Sequence, residues 1–230
     1  MSLDTAIIVA ARDEAERIGA TLAALGRAFP DAVIWVADDG SRDATAELAR
    51  AAGARVVSER RRGKGQAMSA AAGRALGESR EGTLFVLCDG DLGESAERLR
   101  ELARAVEADE ADLAVAAFAR RVGGGLGLAV GFARWAVRRR CGVSARAPIS
   151  GQRALRAGTL RGLLPFACGY GMELAMTIEA VRAGGRVVEV ELELDHRAGG
   201  RTFGGFLHRA RQLLDFVRVY VSRDRGEWVL

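Results

Sequence analysis

Short apolar runs alternating with amphipathic stretches of about ten to fifteen residues most narrowly limit how this chain can fold. Ala6–Ala11, Val33–Ala37, Arg55–Val57, Leu84–Cys88 and Leu113–Ala116 read as strands, and Glu14–Arg27, Ala44–Ala52, Gly63–Leu76 and Ser95–Val106 as helices. This alternation implies βαβ units, right-handed crossovers and an α/β fold with a mostly parallel central sheet flanked by helices. The Leu84 run is the most apolar and ends abruptly in Asp89-Gly90-Asp91. Residues two apart leave a strand on the same side, and open α/β sheets take their ligands at the carboxyl ends of strands. Two carboxylates placed so closely repel unless a cation lies between them, which suits an oxygen-preferring divalent ion. Asp-Gly-Asp is also ordinary turn chemistry, and this motif alone does not choose between the two.

The chain has 230 residues, enough for one domain with a substantial core. No run reaches the ~18 apolar residues of a membrane span, and Met1–Asp4 lacks the basic flank and apolar core of a secretory signal. Cys88, Cys141 and Cys168 are too few and too far apart for a disulfide framework or a zinc site, so a cytoplasmic protein is expected. The net charge of +4 is carried mostly by arginine, in clusters at residues 60–62 and 138–140, and Lys64 is the only lysine.

After Phe118 the strand–helix rhythm weakens. Ile149–Ala154 reads as a short strand or turn, Gly171–Ala183 as a helix, Arg186–Leu194 as an alternating strand and Phe203–Val221 as a basic amphipathic helix. Gly127–Arg140 and the last helix mix aromatics with arginines. Such helices lie in an anionic bilayer interface or pack their apolar face on a core, and the sequence supports either. Peripheral membrane contact and a homo-oligomer both fit this region.

No glycine-rich dinucleotide turn follows the first strand, where Ala11-Arg12-Asp13-Glu14 stands, and Gly63-Lys64-Gly65-Gln66 lacks the spacing of a Walker loop. Four stretches instead resemble, in order and spacing, the motifs of family 2 glycosyltransferases: Val9–Ile18, Val36–Thr45, Gly63–Ala67 and Asp89–Leu92. The likeness extends more loosely to Ser150–Arg153 and Gly171–Leu174, and is strongest to the dolichyl-phosphate mannose synthase-like and polyprenyl-phosphate sugar transferases. Departures are Ala10 where a proline is usual, Asp13-Glu14 for Asn-Glu, and Gly93 where glutamine is frequent.

The resemblance implies a single GT-A domain that moves a sugar, with inversion, from a nucleotide-diphospho-sugar to a polyprenyl phosphate or other small anionic acceptor. Residues 1–117 would bind nucleotide-sugar and metal, and residues 118–230 the acceptor. The implied donor site comprises Ala10, Ala11, Arg12, Glu14, Asp38, Asp39, Lys64, Asp89 and Gly90, with Asp89 and Asp91 holding Mg2+ or Mn2+. Asp38 and Asp39 can accept from a base edge or serve turn and cap chemistry. Lys64 at a helix N-terminus can face a phosphate or solvent. Asp91 and Glu173 are the candidate catalytic residues. Glu173 can act as a base, position the sugar, or suit the helix dipole. Gln152, Arg153, His196, Arg197 and Arg201 are candidates for binding acceptor or diphosphate, with His196 a further metal ligand or a structural residue.

Two other functions compete. A sugar-phosphate nucleotidyltransferase needs a glycine-rich phosphate turn after the first strand. A non-catalytic sugar-nucleotide-binding module would be expected to lack one of the two metal carboxylates. A nucleic-acid partner is not expected, since few aromatics accompany the arginines.

Overall fold

The structure is a computed structural model and describes residues 4–60, 63–118, 128–195 and 214–221. The first half runs β1 (Thr5–Ala11), α1 (Ile18–Ala28), β2 (Val33–Asp38), α2 (Thr45–Ala51), β3 (Arg55–Ser58), α3 (Lys64–Glu78) and β4 (Leu84–Asp89). A 3-10 turn at Gly93–Arg98 leads into α4 (Leu99–Glu107) and β5 (Leu113–Phe118). Then come α5 (Leu128–Cys141), β6 (Arg153–Arg156), α6 (Ala157–Leu163), α7 (Met172–Arg182), β7 (Val187–Leu192) and a last helix, α8, over residues 214–221.

The strands form one seven-stranded sheet in the order β3-β2-β1-β4-β6-β5-β7. All pairings are parallel except those of β6, which runs antiparallel to both β4 and β5. The expected mostly parallel sheet is therefore present. The apolar runs are continuous because both faces are covered. Ile7, Val9, Val86 and Cys88 face a layer formed by α1 and α4, through Ile18, Leu22, Leu25, Leu99 and Leu102. Their neighbours Ile8, Phe85 and Leu87 face the other layer, with Met68, Ala71, Ala72 and Ala75 of α3 and Met172 and Met176 of α7. Alanine along α3 lets that helix lie close against the sheet.

The structure moves two helix starts and adds one helix. α1 starts at Ile18 rather than Glu14, because Asp13 takes a left-handed backbone (φ 54°) and residues 14–17 form a turn. α4 starts at Leu99, the Ser95 region being a 3-10 turn. α6, absent from the sequence reading, is seven residues long with two glycines, and it buries Leu160 and Leu163.

The amphipathic α5 packs on the protein itself. Ala133, Ala136 and Val137 meet Leu174 and Ile178 of α7 and Phe216 of α8 in a third cluster. Trp135 of α5 and Leu214, Val217 and Val221 of α8 are left exposed. Among the described residues no helix is long and apolar enough to cross a membrane.

Candidate active site

Register brings the motif residues together. Ala11 at the end of β1 lies opposite Asp38 of β2, and Ala10 lies opposite Asp89 of β4. Sheet order reverses about β1, so this edge is the crevice where an open α/β sheet receives a ligand.

Two loops clasp each other above it. Backbone N–H groups of Asp13, Glu14 and Ala15 donate to Ser41 Oγ (3.0 Å), Thr45 Oγ1 (2.8 Å) and Asp43 Oδ2 (3.0 Å). Asp13 Oδ1 in return accepts from Arg42 N at 2.8 Å. Asp43 precedes α2 in the sequence, where an aspartate can cap the helix. Its carboxylate does accept from Thr45 N at 3.0 Å, and its second oxygen reaches across to the first loop. Asp38 and Asp39 are both buried. Asp38 Oδ1 accepts from Ser41 N at 3.0 Å, an ordinary turn bond. Asp39 Oδ1 accepts from Gly63 N at 2.8 Å, and Arg12 Nη1 stands 3.6 Å from Asp39 Oδ2. Asp39 thereby fastens the start of α3 to the end of β2.

The centre of the site is an ion network. Lys64, the first residue of α3, places Nζ 2.6 Å from Asp89 Oδ1 and 2.7 Å from Glu173 Oε1. Gln152 Nε2 donates to Asp89 Oδ2 at 2.7 Å, and Ser150 Oγ donates to Gln152 Oε1 at 3.0 Å. Burial is the largest influence on Lys64 and lowers its pKa. The charges of Asp89 and Glu173, with hydrogen bonds to both, outweigh it and leave the ammonium above the ordinary lysine value. Lys64 is thus a charged bridge between two carboxylates rather than an unpaired charge awaiting phosphate. The neighbouring Cys88 thiol is raised, first by burial and then by Asp89, which leaves it protonated and inert.

Gly90 N donates to Ala10 O at 2.8 Å, so the Asp-Gly-Asp turn is tied to β1. Thr21 of α1, fully buried, donates to Gly90 O at 2.8 Å and accepts from Gly93 N at 2.8 Å. Sequence reading missed Thr21, Thr45 and Ser41. A hydroxyl opposite a loop 69 positions away, as for Thr21 and Gly90, leaves no local signal.

Asp91 follows Gly90 half-buried. Among the described residues no group of three or more His, Cys, Asp or Glu gathers as a metal cage. The donor set nevertheless fits Mg2+ or Mn2+. Asp89 and Glu173 place two carboxylates around the one ammonium of Lys64, Asp91 stands two residues from Asp89 in the same turn, and hard divalent ions take one or two carboxylates with substrate phosphate and water completing the shell. Arg153 lies apart from this edge: it is completely buried in β6, its guanidinium on protein carbonyls and Thr177. His196, Arg197 and Arg201 lie outside the described residues.

A profile of Glycosyl transferase family 2 matches residues 6–140, more than half the chain. No curated protein sequence matches. Among solved structures, glucosyl-3-phosphoglycerate synthase from Mycobacterium tuberculosis in complex with phosphoglyceric acid is similar, at TM-score 0.77 and 24% identity over 96% of this chain and 80% of that one. The same protein with Mn2+, uridine diphosphate and glucosyl-3-phosphoglycerate gives 0.74 and 24% over 95% and 80%. With Mg2+ and uridine diphosphate it gives 0.76 and 23% over 96% and 79%. At these identities the superpositions show a shared fold. The matched profile, which spans all four opening motifs and the loops they build at the carboxyl edge of the sheet, shows that this chain belongs to glycosyl transferase family 2.

Proposed function

We propose that this glycosyltransferase moves a sugar, with inversion, from a uridine-diphospho-sugar to a small acceptor bearing a phosphate, with Mg2+ or Mn2+ held by Asp89 and Asp91. The observation that carries this reading is the surplus of carboxylate over ammonium around Lys64 at the carboxyl edge of the sheet. A diphosphate cannot approach Asp89, Asp91 and Glu173 without a cation between them. When bound, the cation supplies Lewis-acid neutralisation of the departing diphosphate.

The chain's own residues supply orientation. The clasped loops of β1 and β2, with Ala10, Ala11, Arg12, Glu14, Asp38 and Asp39, form the floor on which the nucleoside rests. Lys64 holds Glu173, at the start of α7, beside Asp89. Residues 1–117 thereby meet residues 118–230 at the point of transfer. An acceptor phosphate or carboxylate brings its own negative charge, and Glu173 then positions a sugar hydroxyl or takes the acceptor proton. The neighbours' phosphoglyceric acid and uridine diphosphate support this choice of acceptor class and base. A polyprenyl phosphate shares the anionic group and is separated by assay.

The test is calorimetric binding of UDP, GDP, CDP and ADP, each with and without Mn2+, on the native chain and on Asp91→Ala. UDP is expected to bind, Mn2+ to tighten it, and the substitution to abolish the metal effect. UDP-glucose is then offered with 3-phosphoglycerate or with a polyprenyl phosphate in vesicles. Release of UDP with the first alone supports the soluble acceptor. Release of pyrophosphate, or no nucleotide binding under any condition, overturns the proposal.

A further inference from the structure

Arg153 is completely buried, yet among the described residues its hydrogen-bond partners are all neutral. Nε donates to Ser150 O at 2.9 Å, Nη2 to Pro148 O at 3.1 Å and Nη1 to Thr177 Oγ1 at 3.1 Å. Burial pulls its pKa down to about 10, with Glu173 and Glu189 opposing that shift. Burying a guanidinium without an ion-pair partner is costly, and a long apolar side chain would fill the same volume in β6 more cheaply. What the charge secures is the turn before it.

Two of the three bonds end on carbonyls of residues 148–150, and that turn carries the groups that reach the ion network. Gly151 lies so near that a Cβ there would stand 2.6 Å from Asp89 Oδ2 and 2.9 Å from Lys64 Nζ. Gln152 donates to the same Asp89 oxygen. The third bond reaches Thr177, whose hydroxyl donates at 3.1 Å to the carbonyl of Glu173. Apolar packing holds the turn only in part: Ile149 packs on the third apolar cluster, whereas a pocket of about 240 Å3 is lined by Ala147, Pro148, Thr177, Val187 and Glu189 among others.

We infer that Arg153 is a positioning residue for the transfer reaction: it fixes the 148–152 turn so that Gln152 orients Asp89, and through Thr177 it steadies the start of the helix that carries Glu173. Arginine suits this work because its planar fork reaches three separately placed acceptors, which a lysine cannot. The inference rests on the proposed transferase reading for its kinetic part only.

The test compares the native chain with Gln152→Leu, Arg153→Met and the double variant, using UDP-glucose and 3-phosphoglycerate with Mn2+. Amide hydrogen exchange across the whole chain is measured without ligand. Arg153→Met is expected to lower kcat by about 10- to 100-fold, the usual effect of losing a group that orients a ligand residue, with KM little changed. Because part of its effect passes through Gln152, the double variant should lose clearly less than the product of the two single losses. Exchange should quicken at residues 148–152 and at the start of α7 while β1 and β4 keep their protection. Additive losses in the double variant, or unchanged exchange at 148–152, overturn the inference. Should Arg153→Met not fold, Thr177→Val removes one partner with little change in shape and is held to the same outcomes. If the native chain turns over no sugar nucleotide, the transferase reading fails, and the exchange result alone decides the role of Arg153.

Discussion

Two glycines in the motif region look alike in sequence and differ in what a methyl group would strike. At Gly65 an added Cβ would lie 2.0 Å from the carbonyl oxygen of Ala167, which is backbone and cannot step aside. At Gly151 it would meet Asp89 Oδ2 and Lys64 Nζ, the ends of side chains. Gly65→Ala should therefore cost about 1–3 kcal/mol or more in overpacking and lower Tm by several degrees. Gly151→Ala should leave Tm nearly unchanged and instead weaken Mn2+-dependent UDP binding, because it pushes apart Lys64 and Asp89. Thermal scans beside calorimetry of both variants check the contrast, and a large drop in Tm for Gly151→Ala would contradict it. Asp13 stands where the motif it resembles has asparagine, and its left-handed φ of 54° is one that both residues tolerate.

Among the elements, the parallel strands were legible because burial on both faces turns each into an unbroken apolar run, as in Leu84–Cys88. β6 was less legible: it has four residues, Arg153–Arg156, with arginine at both ends, and its antiparallel direction depends on insertion between β4 and β5 rather than on its own pattern. The site divides in the same way. Lys64, Asp89, Gln152 and Glu173 were named from motifs, and the structure joins them, whereas Arg153 in the same motif turned out to be enclosed. Thr21 could not be read from α1 at all, since a threonine on a buried helical face usually signifies packing. Its hydroxyl bonds both Gly90 O and Gly93 N. Thr21→Val keeps the shape and strands two buried backbone groups, so unfolding in urea should show a loss of about 1–3 kcal/mol. Mn2+-dependent UDP binding should fall as well, because the turn that carries Asp91 loses its fixed end. Retained metal dependence at full strength would separate the turn from the cation site.

At the scale of the whole molecule, the sheet of β1–β5 must take in two later strands: β6 inserts between β4 and β5, and β7 joins at the edge beside β5. Arg186, just before β7, clamps Asp112, just before β5. Its backbone N–H donates to Asp112 Oδ2 at 2.7 Å, its Nε to the same oxygen at 3.1 Å and its Nη2 to Asp112 Oδ1 at 3.1 Å. The backbone closes the ring, Asp112 N donating to Arg186 O at 2.9 Å. The Asp112 carboxyl is held below the usual aspartate value of 3.8, chiefly by the Arg186 side-chain hydrogen bond and then by its backbone N–H. A carboxyl depressed in the folded state binds its proton more readily when unfolded. The clamp therefore contributes fully above the unfolded pKa, and its contribution is lost as pH falls through the lower folded value. Asp112→Asn retains a shape that can still accept but carries no charge. It should be less stable than the native chain at neutral pH, and the two stabilities should converge as the solution is acidified below about pH 4, near the ordinary aspartate pKa. Denaturant unfolding of both chains from pH 7 to pH 3 measures this. A stability difference that stays constant across that range would mean that packing between β5 and β7, rather than the charge pair, holds β7 to the sheet.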